Sequence, residues 1–266
     1  MLDSYKRNIN YLRISITDRC NLRCVYCMPE EGIIQISHDE ILKFEEIAEI
    51  VKTAVQYGIT KVRLTGGEPL VRKGVVDLVR MLASIPQIED LALTTNGILL
   101  DRLALPLKEA GLMRVNVSLD TVEADTFTRI TRGGKLEEVF RGITAAKEAG
   151  LSPIKINCVI QGSTEEPDAL AVKAFCEAEG LIIRYIHQMN LENGYFTTVK
   201  GGDGGHCASC NRLRLTANGK LKPCLFNDME FDVKTLGIEE AIRQAVGLKP
   251  ERGTKNCSGH FFNIGG

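Results

Sequence analysis

The chain has 266 residues, of which 44% are hydrophobic and 25% are charged, and its formal net charge is −1. This composition is typical of a globular protein with a sizeable core, and it gives no general reason to expect binding to nucleic acid or to a membrane surface. The sequence contains no apolar run near the ~20 residues of a transmembrane helix, and its N-terminus lacks the apolar core of a signal peptide.

Strand-like and helix-like segments alternate along the first two-thirds of the chain. The first helix is predicted to open at a capping box formed by Ser37 and Glu40 and to end at Gly58. Such alternation predicts an α/β fold with a parallel sheet, and six units are too few to close an eight-stranded barrel, so we expect an incomplete (β/α)6 barrel. The predicted strands are Leu12–Thr17, Lys61–Thr65, Leu91–Thr95, Arg114–Leu119, Ile154–Val159 and Leu181–His187, and the further helices are Val75–Ala83, Leu99–Ala110, Leu136–Ala149 and Asp168–Ala178.

Four of the predicted strands carry basic side chains on the face opposite their apolar residues. These are Arg13, Arg63, Arg114 and Lys155. Because side chains alternate along a strand and the apolar face must meet the helices, the basic face is expected to line the barrel lumen. Guanidinium and ammonium groups suit phosphate, so the lumen is predicted to bind a phosphate-bearing anion. The alternative is that these side chains extend outward at the strand ends.

Three cysteines follow the first strand with the spacing Cys20-x-x-x-Cys24-x-x-Cys27. Three closely spaced thiolates are typical of a [4Fe–4S] cluster with one open iron, which can bind a small molecule. The alternative is a zinc knuckle, for which a fourth ligand would be needed. Nine cysteines in a chain without a secretion signal favour metal or redox chemistry over disulfides, and we expect a reducing, cytoplasmic location.

The loops that follow the other strands carry further signals. The second strand runs into Gly66-Gly67-Glu68-Pro69, whose paired glycines allow close backbone approach. Together with the cysteine loop and the six-unit barrel, this segment resembles the radical S-adenosylmethionine (SAM) superfamily. The resemblance implies that SAM binds the open iron and yields a 5′-deoxyadenosyl radical. It also implies cofactor contacts at the Tyr26 backbone, Gly67, Ser118 and Met189, with Glu68 supporting the methionyl amine.

A second cysteine group lies near the C-terminus. Cys207-x-x-Cys210 is followed fourteen residues later by Cys224, and Asn218-Gly219 between them predicts a hairpin that brings Cys224 back to the pair. The alternative to a second cluster is a zinc ribbon with Cys257 or His206 as fourth ligand.

The segment 207–224 resembles the GTP 3′,8-cyclase family, as do Leu-Arg-Ile-Ser before the first cysteines, Cys-Met-Pro within them and the terminal Ile264-Gly265-Gly266. The resemblance implies a second [4Fe–4S] cluster with an open iron that binds guanine. It implies a lyase that converts GTP to (8S)-3′,8-cyclo-7,8-dihydroguanosine 5′-triphosphate, the first step of molybdenum cofactor biosynthesis. Gly265 and Gly266 would act in catalysis; the alternative is a disordered end. The implied GTP contacts are Arg13, Arg63, Thr95, Lys155, Arg212, Leu213 and Arg214.

We expect three regions: a barrel at 1–190, a Gly-rich linker at 191–206 and a small cluster-binding domain at 207–266. Only seventeen residues separate Met189 from Cys207. The resemblance to the family implies a longer stretch at this place. The resemblance implies an electron donor, a downstream cyclic pyranopterin monophosphate synthase, and a homodimer as a candidate assembly. Alternatives are a peptide-modifying radical SAM enzyme with an auxiliary cluster, or a catalytically impaired cyclase homologue. A further alternative is that Cys257 closes the open iron of the second cluster.

Overall fold

The strands form one curved sheet. The computed structural model describes residues 1–189, 197–202, 204–254 and 264. Within these residues the sheet has nine strands in the order β6-β5-β4-β3-β2-β1-β7-β8-β9, and it is not closed between β6 and β9. The expected incomplete barrel is therefore confirmed. The strands are β1 Tyr11–Ser15, β2 Lys61–Thr65, β3 Asp90–Thr95, β4 Arg114–Ser118, β5 Lys155–Ile160, β6 Ile182–His187, β7 Arg212–Leu215, β8 Lys220–Lys222 and β9 Phe231–Asp232.

Helices cover the outer face of the parallel strands and bury its apolar side chains. Leu64, Leu93 and Val117, one from each of three neighbouring strands, are completely buried there. Cys158 and Cys176 are buried in the same layer, as core thiols. Among the described residues, no helix has both the length and the apolar character needed to cross a bilayer. The helices are α1 Phe44–Gln56, α2 Val75–Ala83, α3 Leu100–Glu109, α4 Ala124–Thr131, α5 Leu136–Glu148, α6 Pro167–Glu179, α7 Val233–Leu236 and α8 Ile238–Gly247.

The predicted bounds of β2 and α2 are those observed, and the other predicted strands differ by one or two residues. The predicted start of the first helix is wrong. Ser37 and Glu40 form a turn, and α1 begins seven residues after Ser37, where the backbone N–H of Lys43 donates to the carboxylate of Glu46 at 2.6 Å. Helix α4 was not predicted, because its Thr- and Asp-containing sequence has a low helix propensity.

The C-terminal part continues the same sheet. β7 runs parallel to β1, with Leu12 opposite Leu213, and β8 returns antiparallel to β7. The hairpin predicted at Asn218-Gly219 is confirmed, with Gly219 at φ +91°. The division into a barrel, a linker and a second domain stays a prediction; part of the predicted linker pairs with β6 through Lys200 and Tyr185.

Candidate active site

The first cysteine triad occupies the loop after the C-terminal end of β1. Cys24 and Cys27 share one turn, in which the carbonyl of Cys24 accepts from the N–H of Cys27 at 2.9 Å and from that of Met28 at 3.0 Å. The N–H of Leu22 donates to the sulfur of Cys20 at 3.4 Å. Burial raises the pKa of Cys20 to about 11 and that of Cys24 to about 12, so metal binding must displace protons from these thiols.

The paired glycines fix the start of this loop. The N–H of Gly67 donates to the carbonyl of Thr17 at 2.7 Å, and the N–H of Glu68 donates to that of Arg19 at 2.8 Å. A Cβ atom at Gly66 would overlap the Thr17 carbonyl, and one at Gly67 would overlap the Arg19 carbonyl. The close approach that the glycines allow is therefore an approach to the cysteine loop itself.

Glu68 joins two loops from a buried position. Its carboxylate accepts from the N–H of Leu70 at 3.0 Å, from the hydroxyl of Thr95 at 2.7 Å and from the N–H of Asn96 at 2.7 Å. Burial raises the pKa of Glu68 to about 7 despite these bonds. An ionised carboxylate has about four acceptor sites, so one stays available for a further donor such as an amine.

Tyr26 ties the cysteine loop to the ends of β4 and β5. Its hydroxyl donates to Oδ2 of Asp120 at 2.5 Å, and Oδ1 of Asp120 accepts from the N–H of Val159 at 2.8 Å. Ser118 ends β4 two residues earlier, on the inner face opposite Asn157. Tyr26 and Ser118 therefore lie at the same rim as the first triad.

Basic side chains line the inner face, as the alternation predicted. Register places Arg13 of β1 between Arg63 of β2 and Arg214 of β7. Burial lowers the pKa of Arg63, and burial together with the neighbouring Arg212 lowers that of Arg214 to about 10. The cations repel one another in a poorly solvated site, so an anion bound between them would relieve both effects.

Two further predicted cations lie along this face. Arg114 forms a two-pronged ion pair with Asp90, at 2.9 Å and 2.5 Å. Lys155 has no ion pair within the described part of the chain, and its pKa is lowered by burial and by Arg184. Arg114 is thus neutralised, whereas Lys155 carries its charge toward the lumen side of the sheet.

Several buried polar atoms on the inner strands have no hydrogen-bond partner among the described residues. They are the hydroxyls of Tyr11 and Thr94, Nε of Arg63 and Nδ2 of Asn116. Buried polar atoms are normally bonded, so this face fits a ligand that offers many acceptors, as a triphosphate does.

Two of the residues expected to contact GTP do not place their side chains on the basic face. Thr95 is paired in register with Val117 and donates to Glu68, so its side chain belongs to the loop network. Leu213 pairs with Leu12, and its side chain is buried in the core. Any contact between Leu213 and GTP must therefore use its backbone.

The second triad lies at the opposite ends of the central strands from the first triad. Cys207 and Cys210 precede β7, and Cys224 follows β8. Tyr11, the first residue of β1, is opposite Arg212, so this triad is at the N-terminal end of β1, while Cys20 follows its C-terminal end. Five residues of strand span about 15 Å. The two triads therefore flank the basic face at opposite ends.

The C-terminal tail approaches the second triad. Ile264 is buried against Leu225 and Phe226, and Met189 and Cys224 pack on the same cluster. Met189 is thereby placed between the rim of β6 and the second triad. Gly265, Gly266 and Cys257 lie outside the described residues, so their expected roles stay predictions.

In the described ranges, no three His, Cys, Asp or Glu side chains are grouped as ligands of one metal ion. A cubane cluster needs a different arrangement, since each thiolate binds its own iron and the sulfurs stand farther apart. The eight described cysteines are free of disulfides, and six of them form the two triads. The donor set therefore fits two clusters.

Comparisons with known proteins agree with this geometry. The profile of the radical SAM superfamily matches residues 14–171, and that of Molybdenum Cofactor Synthesis C matches residues 182–254. The GTP 3′,8-cyclase of Pelotomaculum thermopropionicum is 43% identical over an alignment 307 positions long, which covers 95% of this chain and 94% of the relative. That of Moorella thermoacetica is 44% identical, covering 94% of each chain.

The chain belongs to the GTP 3′,8-cyclase family. As a radical SAM enzyme it uses [4Fe–4S] clusters and SAM as cofactors. The alignment of 307 residues exceeds the 266 residues of the chain, so this cyclase lacks segments that its relative carries.

Solved structures share the fold of this family member at low identity. Streptococcus suis SuiB bound to S-adenosylmethionine has a TM-score of 0.68 and 14% identity, over 90% of this chain and 64% of SuiB. The structure of anSMEcpe with bound AdoMet has a TM-score of 0.62 and 16% identity, over 89% of this chain and 79% of anSMEcpe.

Sequence reasoning missed several residues of the site. Asp120 is one of them, because its bond to Tyr26 joins residues that are far apart in the chain. Arg184 lies on the inner face opposite Asn157, and the alternation along β6 could have found it. Asn96 donates to Asn21 of the cysteine loop at 2.8 Å, and no local sequence pattern indicates this contact.

Proposed function

We propose that the protein converts GTP to (8S)-3′,8-cyclo-7,8-dihydroguanosine 5′-triphosphate, the first step of molybdenum cofactor biosynthesis. The observation that carries the proposal is the row formed by Arg214, Arg13 and Arg63 on adjacent strands. This row lies between the two cysteine triads, and on β1, β3 and β4 the buried polar atoms of Tyr11, Thr94 and Asn116 have no hydrogen-bond partner among the described residues. Relatives named GTP 3′,8-cyclase supply the identity of the anion.

The first triad is proposed to hold the cluster that binds SAM. When bound, this cluster and SAM supply a 5′-deoxyadenosyl radical for hydrogen abstraction. Glu68 has an acceptor site left for the methionyl amine. Tyr26 holds the cysteine loop to the rim through Asp120, and Gly67, Ser118 and Met189 are proposed as the other cofactor contacts.

The substrate is proposed to span the lumen. Guanine binds at the second triad of Cys207, Cys210 and Cys224, and the triphosphate binds the basic residues of the inner face. The roughly 15 Å between the ends of β1 suits an extended nucleoside triphosphate. Ile264 lies beside Cys224, and this position supports a role for Gly265 and Gly266 in the active site. The proposed substrate contacts are Arg13, Arg63, Lys155, Arg212 and Arg214, with Leu213 acting through its backbone and Thr95 through the loop network.

The finer assignments of partners and location are also proposals. An electron donor must reduce the first cluster, and a cyclic pyranopterin monophosphate synthase must consume the product. The abundance of free thiols supports a reducing, cytoplasmic compartment. A homodimer is proposed by family resemblance.

An anaerobic assay of the reconstituted, reduced protein with SAM tests the function. We would measure 5′-deoxyadenosine and nucleotide products by mass spectrometry with and without GTP. The expected result is a GTP-dependent product isomeric with GTP. Release of 5′-deoxyadenosine that is indifferent to GTP would overturn the proposed substrate, and it would favour a peptide or another molecule. Complete absence of 5′-deoxyadenosine would indicate a catalytically impaired homologue.

The matched variants are Arg63→Met on the inner face and Arg80→Met on α2. Arg80 is exposed and pairs with Asp77 at the protein surface. Arg63→Met should lower the GTP-dependent product and spare the slow GTP-independent cleavage of SAM. Arg80→Met should change neither activity.

A further inference from the structure

A buried lysine lies beside the second triad. Lys249 follows α8 and is only 3% exposed. Its Nζ donates to the carbonyl of Arg212 at 2.8 Å and to that of Pro223. Arg212 stands two residues after Cys210, and Pro223 directly precedes Cys224. One ammonium therefore joins the two chain segments that carry these cysteines.

The same ammonium lies near two of the cysteine sulfurs. Its charge interacts favourably with Cys210 and, more weakly, with Cys224. Backbone N–H groups add to this environment, from Arg212 to the sulfur of Cys210 and from Phe226 to that of Cys224. The second triad is thus surrounded by donors and positive charge.

Two other buried cations of the chain are neutralised by carboxylates. Lys222 pairs with Glu230 at 3.0 Å, and Arg7 pairs with Asp3 at 2.5 Å. Across the described ranges, none of the ion pairs includes Lys249. A buried ammonium without an anionic partner is strongly unfavourable. Carbonyl dipoles offset part of that cost, and an anion at the triad would offset the rest.

A [4Fe–4S] core held by three thiolates is such an anion in both of its common oxidation states. Arg7 supports the remaining ligand, since its guanidinium donates to the carbonyl of Cys207 at 2.8 Å and to that of Glu251 at 2.8 Å. The charge of Arg7 is already balanced by Asp3. Of the cations near Cys210, Lys249 interacts with it more strongly than Arg212 and Arg214 do, and Lys249 and Arg214 also act on Cys224.

We infer that Lys249 is a positioning residue for the second cluster, which holds the segments of Cys210 and Cys224 together and makes the cluster easier to reduce. Positive charge and hydrogen bonds near the sulfurs stabilise the more negative, reduced state. The inference rests on the proposed placement of the second cluster at Cys207, Cys210 and Cys224. Its test is independent of GTP turnover.

The test compares the reconstituted wild-type protein with Lys249→Met, Lys249→Gln and Lys249→Arg. Iron and sulfide would be counted per chain, and the midpoint potentials of the clusters would be measured by anaerobic redox titration with EPR detection. The matched control is Arg252→Met, because Arg252 is exposed and lies three residues from Lys249 in the same segment. This control removes the same charge without touching the triad.

Lys249→Met should either lose the second cluster, so that iron falls from about eight to about four per chain, or retain it with a more negative midpoint. Lys249→Gln keeps an N–H donor, and it should shift the midpoint in the same direction even when the methionine variant fails to fold. Lys249→Arg and Arg252→Met should resemble the wild type. The first cluster should be unchanged in every variant.

Wild-type content and midpoint of the second cluster in both Lys249→Met and Lys249→Gln would overturn the inference. A wild-type protein with only one cluster would overturn the placement on which it rests, together with the proposed function. The two failures are therefore distinguishable in one set of measurements.

Discussion

Replacing Arg63 with methionine should weaken GTP binding and at the same time stabilise the empty protein. Arg63 is 7% exposed, and its Nε has no hydrogen-bond partner among the described residues. An unsatisfied buried donor costs about 1–3 kcal/mol. The guanidinium lies 5.4 Å from the centre of the Tyr11 ring, and a cation–π contact of this kind stabilises the side chain by about 0.5–1 kcal/mol.

The difference is a net cost of up to about 2.5 kcal/mol, and methionine would relieve it because it fills similar volume without a charge. For a domain of this size we expect a rise in melting temperature of up to about 10 °C. In the complex the balance reverses, since a charge-assisted bond from arginine to phosphate contributes about 1.5–3 kcal/mol. The dissociation constant for GTP should therefore rise by about 10- to 150-fold.

Differential scanning fluorimetry under anaerobic conditions would give the melting temperature, and equilibrium titration with GTP would give the affinity. Arg80→Met is the control, since its guanidinium is exposed and its loss should leave both quantities unchanged. A variant at Arg63 that melts at a lower temperature and binds GTP as tightly as the wild type would refute the reasoning. Arg63 would then be a structural residue.

Three further predictions concern the first triad and its supports. Cys24→Ala should abolish formation of 5′-deoxyadenosine and lower the iron content by about half. Cys176→Ala, in the core, should keep the activity and the iron content of the wild type. Normal cleavage of SAM by Cys24→Ala would contradict the assignment of the first cluster. Folding raises the pKa of Glu68 from 4.5 to about 7. The protonated carboxyl therefore adds up to about 3 kcal/mol to the free energy of unfolding below about pH 4.5, and this contribution is lost as the pH rises through about 7. The melting temperature of iron-free Glu68→Gln minus that of the wild type should therefore increase between these pH values, and a constant difference would show that Glu68 does not titrate there. Tyr26→Phe removes the 2.5 Å hydrogen bond to Asp120 and should destabilise the protein by about 1–3 kcal/mol. The control is Tyr57→Phe, which loses an exposed hydrogen bond to Glu239 and should change the melting temperature little. Equal effects of the two variants would show that the Tyr26–Asp120 bond does not stabilise the cysteine loop.

Local patterns predicted most of the barrel because its helices and strands repeat simple periodicities. The alternation along β1 and β2 placed Arg13 and Arg63 on one face, and the register bears this out. Local signals failed where tertiary contacts decide. The Ser37 and Glu40 pattern is a good capping box, yet α1 begins at Phe44, where Arg72 stacks on the Phe44 ring at 4.2 Å and donates to the carbonyl of Leu42.

The pairing of distant segments was beyond the sequence. Spacing identified both cysteine triads, but only the pairing of β1 with β7 places them at opposite ends of the basic face. Lys249 gave no local signal at all, since its contacts are 37 and 26 residues away in the chain. The sequence therefore predicted which residues make the site better than it predicted what supports them.

The short segment after Met189 should affect how well the site is shielded from solvent more than it affects the positions of the ligand-binding residues. The row formed by Arg214, Arg13 and Arg63 depends on the pairing of β7, β1 and β2, and other strands of the sheet separate all three from β6. Both triads are likewise attached to the ends of β1, directly or through β7. A shorter stretch between β6 and the second triad is therefore expected to open the β6 side of the site and to leave the ligand positions in place.

We therefore expect this cyclase to turn over GTP but to couple radical formation to product less tightly than the Moorella thermoacetica relative. The measurement is the ratio of 5′-deoxyadenosine to cyclised nucleotide for both proteins under identical conditions. A ratio above that of the relative would follow from greater access of solvent and reductant to the lumen. Equal ratios would mean that the C-terminal residues or a partner subunit close the site, because the described strands alone leave the sheet open between β6 and β9.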